Sequence, residues 1–467
     1  MVNITSKKLI TSLIFGVGFS SAVTYAVDEG GPVGIAGKNN WLFYRFDYST
    51  VADFKTTDMT LDLIKRFNKV AAANGITLVM VFPPLKMRVY SEFLPPSVKM
   101  NSGMMDQPDR ALKALRANQV YVADINTPFM KDVNRNGQYP LFLKLDTHWS
   151  PSGVLLASEA VKVTVDSTPS LKKALDATPS ATYTLEISKE KKTRNSHDLT
   201  MELPPSPQGQ ESFPPEVSLN FKVTRVPSQN GDQRGSGVAL LGTSNSRPWT
   251  GFADALRYAL QRDIYVSTAN GDRGSWWGMQ SYLRDDSFQI SRPKILIWEM
   301  PERDLRAPPN YQYRSNGYLI DNTEWLLQVS AMLQANCKPS SVTAKLGLVG
   351  LAASSANQKT GGVAARVTSE ADFIEVNFND AMGKMDYLTA RISSPGTKTV
   401  ILEASGSDVP TRRFTADVAT DAAEHVFKYS LPSNGKGYTK VRIYPGKTSG
   451  FSLRELQVCR QPDDLLN

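Results

Sequence analysis

Two hydrophobic patterns divide this chain near residue 337. In the first, apolar residues return at helical spacing and then run together. Leu61, Ile64, Phe67, Val70 and Ala71 mark one helix face. Asn74-Gly75 ends that helix, and Ile76 to Phe82 reads as a buried strand closed by Pro83-Pro84. The same order returns in "DQPDRALKALRANQVYVADI" and in "GFADALRYALQRDIYVS". "DTHWSPSGVLLASEAVKVTV" reads as a loop entering a helix, with Ser150-Pro151 at its start. "GSGVALLGTSNS" is a strand and then a turn, Ile295 to Trp298 is a central buried strand, and "NTEWLLQVSAMLQANC" is a closing helix. Residues 165–236 break this rhythm with a charged stretch and a Pro-rich one, and read as mixed short strands in an excursion over the sheet. Helices alternating with buried strands predict an α/β domain over residues 27–337.

After Cys337 the apolar residues alternate with polar ones in short runs. "DFIEVNFND", "DYLTARISS", "KTVILEAS", "HVFKYSLP", "KGYTKVRIYPG" and "SLRELQVC" are separated by Gly, Pro, Ser and Asp. This predicts an all-β sandwich or jelly roll over residues 338–467.

The chain has 467 residues, room for two such domains. Its first residues read as an export signal. Lys7 and Lys8 precede an apolar stretch from Leu9 to Val23, and small residues lead to a cut after Ala26, so residues 1–26 are read as a signal peptide. The alternative is an uncleaved anchor; the Ser and Thr interruptions favour cleavage. No other segment resembles a transmembrane helix. In an exported chain the two cysteines, Cys337 and Cys459, are expected to pair. The net charge of +8 suits a polyanionic partner, and export argues against nucleic acid.

Three histidines restrict imidazole chemistry to few places. In "LKLDTHWSPSG", Asp146 and His148 stand two apart and can point the same way in an extended segment. Asp146 can then hold one ring nitrogen while the other faces a nucleophile. Ser244, in "LLGTSNS", supplies a hydroxyl on a turn after a strand. Ser246 is the reserve nucleophile and His197 the reserve base, while His425 falls in the β region as a surface residue. Ordinary turns and satisfied loop side chains would look the same one motif at a time. A metal site at Asp146-x-His148 lacks further ligands, and no cofactor is called for.

The stretches "GKNNWLFYRFD", "PPLKMRVY", "LKLDTHWSPSG", "HDLT", "LGTSNS" and "RPKILIWEMPER" resemble the alginate O-acetyltransferase family of the AlgX and AlgJ type, the AlgX type most closely. The resemblance implies an SGNH-hydrolase-like catalytic domain followed by a carbohydrate-binding-like β-sandwich, working in the periplasm on exported alginate. It implies that Asp146 orients, His148 is the base, and Ser244 carries acetyl from an unidentified donor to a mannuronate hydroxyl. Asn270 and Gly271 become oxyanion candidates beside the Ser244 N–H. Trp149, Arg247, Trp276, Trp277 and Arg303 become candidates for lining a sugar groove, with Lys398 and Arg412 in the β module. Tyr387 and Tyr438 are that module's candidate aromatic faces, since it has no tryptophan. Implied partners are an anionic polysaccharide and other alginate acetylation and secretion proteins. A deacetylase or esterase of the same fold, and a non-catalytic polymer-binding scaffold, remain the alternatives.

Overall fold

A computed structural model describes residues 31–50, 53–194, 197–204, 213–228, 234–269, 273–311, 318–347, 362–433 and 436–466. The expected signal peptide, residues 1–26, and the oxyanion candidates Asn270 and Gly271 lie outside these residues. Among the described residues no helix is long and apolar enough to cross a membrane.

Among the described residues nine strands precede the β module: β1 Gly34–Ala36, β2 Leu42–Tyr44, β3 Thr77–Val81, β4 Tyr121–Ala123, β5 Thr182–Arg194, β6 Glu216–Val226, β7 Val238–Gly242, β8 Tyr265–Thr268 and β9 Ile295–Glu299. Five of them form one parallel sheet in the order β4-β3-β9-β7-β8. The central strands are apolar on both faces because both faces are covered. Val79, Val81, Val238, Leu240, Ile295 and Ile297 pack on one side with Val154, Val161 and Leu256. Leu78, Met80, Ala239, Leu241, Leu296 and Trp298 pack on the other with Ile64, Phe67 and Trp325. Strand period two thus divides each run between two helical layers.

One predicted helix begins before the stretch that predicted it, which opens at Asp106. It spans Ser102–Arg116, is capped by the Asn101 side chain, and holds Pro108 in its interior. Proline has no N–H for the carbonyl four residues back, which is Met104 O. Arg88 Nη1 donates to that carbonyl at 2.9 Å and replaces the lost bond.

The excursion over 165–236 is not a set of mixed short strands. Its first part continues the helix Pro151–Ser167 and adds a helix, Pro169–Asp176. Among the described residues it then holds one long antiparallel ribbon, β5 with β6, registered from Thr182↔Val226 to Arg194↔Glu216, and a short 3-10 segment, Leu199–Glu202.

The C-terminal module is a sandwich of a five-stranded and a four-stranded antiparallel sheet around one apolar core. The strand Val409–Asp417, which the sequence reading passed over, pairs with Thr399–Gly406. Cys337 and Cys459 form a disulfide that closes a separation of 122 residues. The helix Asn322–Leu333 is buried between the two domains. Gln328 exchanges hydrogen bonds with the backbone of Ser430, and Ser330 donates to Gln461.

His425 joins this junction and is not a simple surface residue. Its Nδ1 lies 2.8 Å from Asp286 and its Nε2 2.7 Å from Asp421. Burial opposes the imidazolium, but hydrogen bonds to Asp421 and Asp286 outweigh it and raise the pKa. A raised histidine pKa stabilises the fold fully below the unfolded value of ~6.5, and that contribution is lost as pH rises through the folded value. His425→Gln is therefore expected to cost at most about 1 kcal/mol near pH 6. The wild-type advantage should shrink in melting curves taken at pH 9.

Candidate active site

The carboxyl ends of a parallel sheet leave their backbone groups pointing into a crevice, and functional side chains gather there. Here β7 ends at Gly242 and β9 at Glu299. The chain after β7 turns through a short 3-10 segment, Ser244–Ser246. Glu299 is fully buried beside it. One carboxylate oxygen accepts from Thr243 N–H at 2.6 Å and from Ser246 Oγ at 2.9 Å; the hydroxyl of Thr243 donates at 3.0 Å. Four polar groups of the serine turn thus converge on one carboxylate, with the Asn245 amide as the outermost at 3.5 Å. Burial raises the Glu299 pKa, and the Thr243 and Ser246 donors counter it. Gly242 is required at this place. A Cβ there would run into Ser246 and Glu299.

This network corrects one sequence expectation. Ser246 is completely buried and committed to Glu299, so it is no nucleophile. Ser244 is half-buried at the start of the turn.

The loop before helix Pro151–Ser167 supplies the imidazole. His148 Nδ1 lies 2.5 Å from Asp146 Oδ1, which also accepts from the His148 backbone N–H at 3.1 Å. Asp146 is 1% exposed. Beneath it lies Lys86, whose ammonium donates to the carbonyls of Lys144 at 2.8 Å and Asp146 at 2.9 Å. Burial brings the Lys86 pKa down to about 8, against the pull of Glu216, Asp146, Asp198 and Asp47. His148 Nε2 is buried without a hydrogen-bond partner among the described residues. The imidazole therefore has one nitrogen held and the other unoccupied.

Trp149 joins this loop to the serine turn. Its Nε1 donates to Asn245 O at 3.0 Å. The residue after His148 is thereby bonded to the residue after Ser244. From the far side of the turn, the Trp249 ring stands 4.7 Å from the His148 ring, nearly perpendicular to it.

Asp198 is the site residue that the sequence reading missed. It lies beyond the far end of β5 and accepts from Thr147 N–H at 2.8 Å and from the Thr147 hydroxyl. Its Oδ2 is 3.5 Å from His148 Nδ1. Burial, and then the charge on Asp146, raise its pKa. It stands in the "HDLT" stretch beside His197, the expected reserve base, and only its contact with Thr147 marks it as a site residue. His197 instead faces Glu216 at 3.0 Å and is buried there, away from the role of reserve base.

Asp146, His148 and Asp198 bring three possible metal ligands within 4.8 Å of one another. The 2.5 Å between Nδ1 and Oδ1 is a direct hydrogen bond. Asp198 is thus a further possible ligand that the sequence reading did not find beside Asp146-x-His148.

Several expected groove residues serve other purposes. Trp149 and Trp276 are 1% and 6% exposed, and their indole N–H groups bond Asn245 O and Ala307 O, so both pack the interior. Arg303 pairs with buried Asp47 and lies over the Tyr44 ring. Trp277 is half-buried under Arg273, and Arg247 is half-buried on the serine turn. In the module Lys398 is exposed, whereas Arg412 bonds Pro432 O and faces Glu324. Tyr387 and Tyr438 are buried and present no face to a ligand. Across one sheet Glu375, Arg442, Glu403 and Arg413 form a cross-strand row whose charges pair. A cavity of about 690 Å³ opens beside β4 between Tyr121 and Val163, and no residue of the dyad or serine turn lines it.

Comparison with known proteins agrees with this architecture. A family model described as SGNH hydrolase-like domain, acetyltransferase AlgX, matches residues 35–302. A probable alginate O-acetylase AlgJ of Pseudomonas fluorescens is 31% identical over 303 residues, 62% of this chain and 73% of that one. The alginate biosynthesis protein AlgX of Pseudomonas aeruginosa is 25% identical over 297 residues, 62% and 59% of the two chains. Among solved structures, the O-acetyltransferase domain of Pseudomonas putida AlgJ covers 59% of this chain and 93% of its own, at 26% identity and a TM-score of 0.50. Pseudomonas aeruginosa AlgX covers 92% and 94%, at 15% identity and a TM-score of 0.62. Identity over the catalytic region is higher to these AlgJ relatives. The likeness that spans both domains is to the AlgX fold.

Proposed function

Because the chain belongs to the family of SGNH hydrolase-like acetyltransferases of the AlgX type, we propose that it O-acetylates mannuronate hydroxyls of exported alginate in the periplasm. Asp146, His148 and Ser244 carry the reaction in this reading. The observation that supports it most is the buried Asp146–His148 pair, with an unoccupied Nε2, tied through Trp149 to the serine turn.

Ser244 Oγ attacks the acetyl carbonyl of the donor while His148 Nε2 takes its proton. The Ser244 N–H is one donor to the oxyanion. The donor's leaving group departs with the proton from His148, and acetyl-Ser244 remains. A sugar hydroxyl then gives its proton to His148 and attacks the acetyl carbon. The bond to Ser244 breaks, and Ser244 recovers a proton from His148. Asp146 stabilises the imidazolium in both halves. The positive net charge suits a polyuronate, with Arg247 and Lys398 as candidate contacts.

The test uses the mature protein, 4-nitrophenyl acetate and mannuronate oligomers, with mass spectrometry of protein and sugar. Acetylated oligomer is expected, and both acetyl-Ser244 and product should vanish in Ser244→Ala. His148→Ala should lower the rate by at least about 10³-fold. Acetate released by Ser244 with no acetylated sugar would make the protein an esterase. Polymer binding with no acetylated protein would make it a scaffold.

A further inference from the structure

We propose that Trp249 is the platform on which the acceptor sugar ring lies, placing its hydroxyl at His148. The proposal rests on the Ser244–His148 reading of the site. Trp249 is 43% exposed, and it is the only exposed tryptophan of the seven in the chain, all of which are described. A side chain able to bury 150–250 Å² is costly to leave in water, and such exposed apolar surface marks binding sites.

The indole is displayed on a firm base. It belongs to the 3-10 turn Pro248–Thr250, which ends at Gly251 in the left-handed conformation. Thr250 Oγ1 donates to Asn245 O at 2.9 Å and to Arg247 O at 2.8 Å. Trp249 is thus fixed to the same short segment as Ser244, and its ring meets His148 edge to face at 4.7 Å. The imidazole's other anchor is Asp146 at Nδ1, and Nε2 is buried and unpartnered. The exposed indole therefore touches the ring that carries the unpartnered Nε2.

A pyranose ring has patches of C–H on its faces and hydroxyls around its rim. The negative face of an indole attracts those C–H groups, while the rim remains free for hydrogen bonds. A ring stacked on Trp249 would direct its rim toward Nε2. Arg247, two residues earlier and half-buried, is a candidate contact for a uronate carboxylate. The acceptor hydroxyl gives its proton to Nε2 as its oxygen bonds the acetyl carbon, and the Ser244 ester bond breaks. Binding the sugar here also displaces the water that would otherwise hydrolyse the ester.

Two measurements test this. In the inert Ser244→Ala background, calorimetric titration with mannuronate oligomers should show affinity falling about tenfold when Trp249→Ala is added, and Trp249→Phe should recover most of it. In the active enzyme, Trp249→Ala should raise the acceptor KM about tenfold and shift products from acetylated sugar to acetate. The rate of Ser244 acetylation should change less than the KM does. Equal oligomer affinity with and without the indole would overturn the proposal. So would an acetylation rate that falls while the acceptor KM holds, because Trp249 would then only position His148. If wild-type protein forms no acetyl-Ser244, the catalytic reading fails, and the titration still decides whether Trp249 holds sugar.

Discussion

Asp146→Asn is expected to slow Ser244 acetylation about 10³-fold while leaving the fold intact. The carboxylate accepts from His148 at Nδ1 and from the backbone N–H of the same residue. It therefore keeps the proton on Nδ1 and leaves Nε2 basic. An asparagine can turn its amide toward Nδ1, which then accepts a hydrogen bond and moves the proton to Nε2. That tautomer cannot take a proton from serine. Lys86 holds the Asp146 main chain through its carbonyl, so the loop has no reason to move. Asp198 softens the loss only slightly, because its oxygen is 3.5 Å from Nδ1 and its shorter bonds go to Thr147. Asp198→Asn should cost no more than about tenfold, since it weakens an electrostatic neighbour and keeps an acceptor for Thr147. Stopped-flow measurement of nitrophenolate release in both variants checks the ranking. Equal effects would mean that the two carboxylates share the orienting role.

Glu299→Ala is expected to destabilise the protein by about 3 kcal/mol and to reduce acetylation at least about 10²-fold. The truncation leaves the Thr243 N–H and the Ser246 hydroxyl without their buried acceptor. Those groups hold the turn that aims Ser244, so stability and activity should fall together. Glu299→Gln keeps one acceptor oxygen for the fixed Thr243 N–H, and the Thr243 hydroxyl can rotate to meet the amide. It should lose about tenfold in rate and little in stability. Denaturant melts and the acetylation burst give both quantities. An alanine variant that melts like wild type yet retains its rate would show that the turn holds without the carboxylate.

The parallel-sheet domain, the β module and the cysteine pair were legible along the chain, because each leaves a local mark. Buried strands read as apolar runs such as Val238–Leu241, and a module of alternating strands reads differently from helices. Asp146 and His148 were legible because they are two apart, although a bend rather than the expected extended segment brings them together, with the His148 N–H turned back onto Asp146. What the sequence by itself determined is this local content.

Only the tertiary structure decided which distant residues meet there. Glu299 ends a strand 53 residues after Ser246, and nothing local marks it as the acceptor for the serine turn. Asp198 arrives at Thr147 from beyond the end of a ribbon that read as mixed short strands. Burial was equally hidden. Trp149, Trp249 and Trp276 are one residue type, yet two pack the interior and one faces solvent beside His148. A side chain's exposure depends on what the rest of the chain lays over it, and that is a property of the packed layers rather than of its neighbours in sequence.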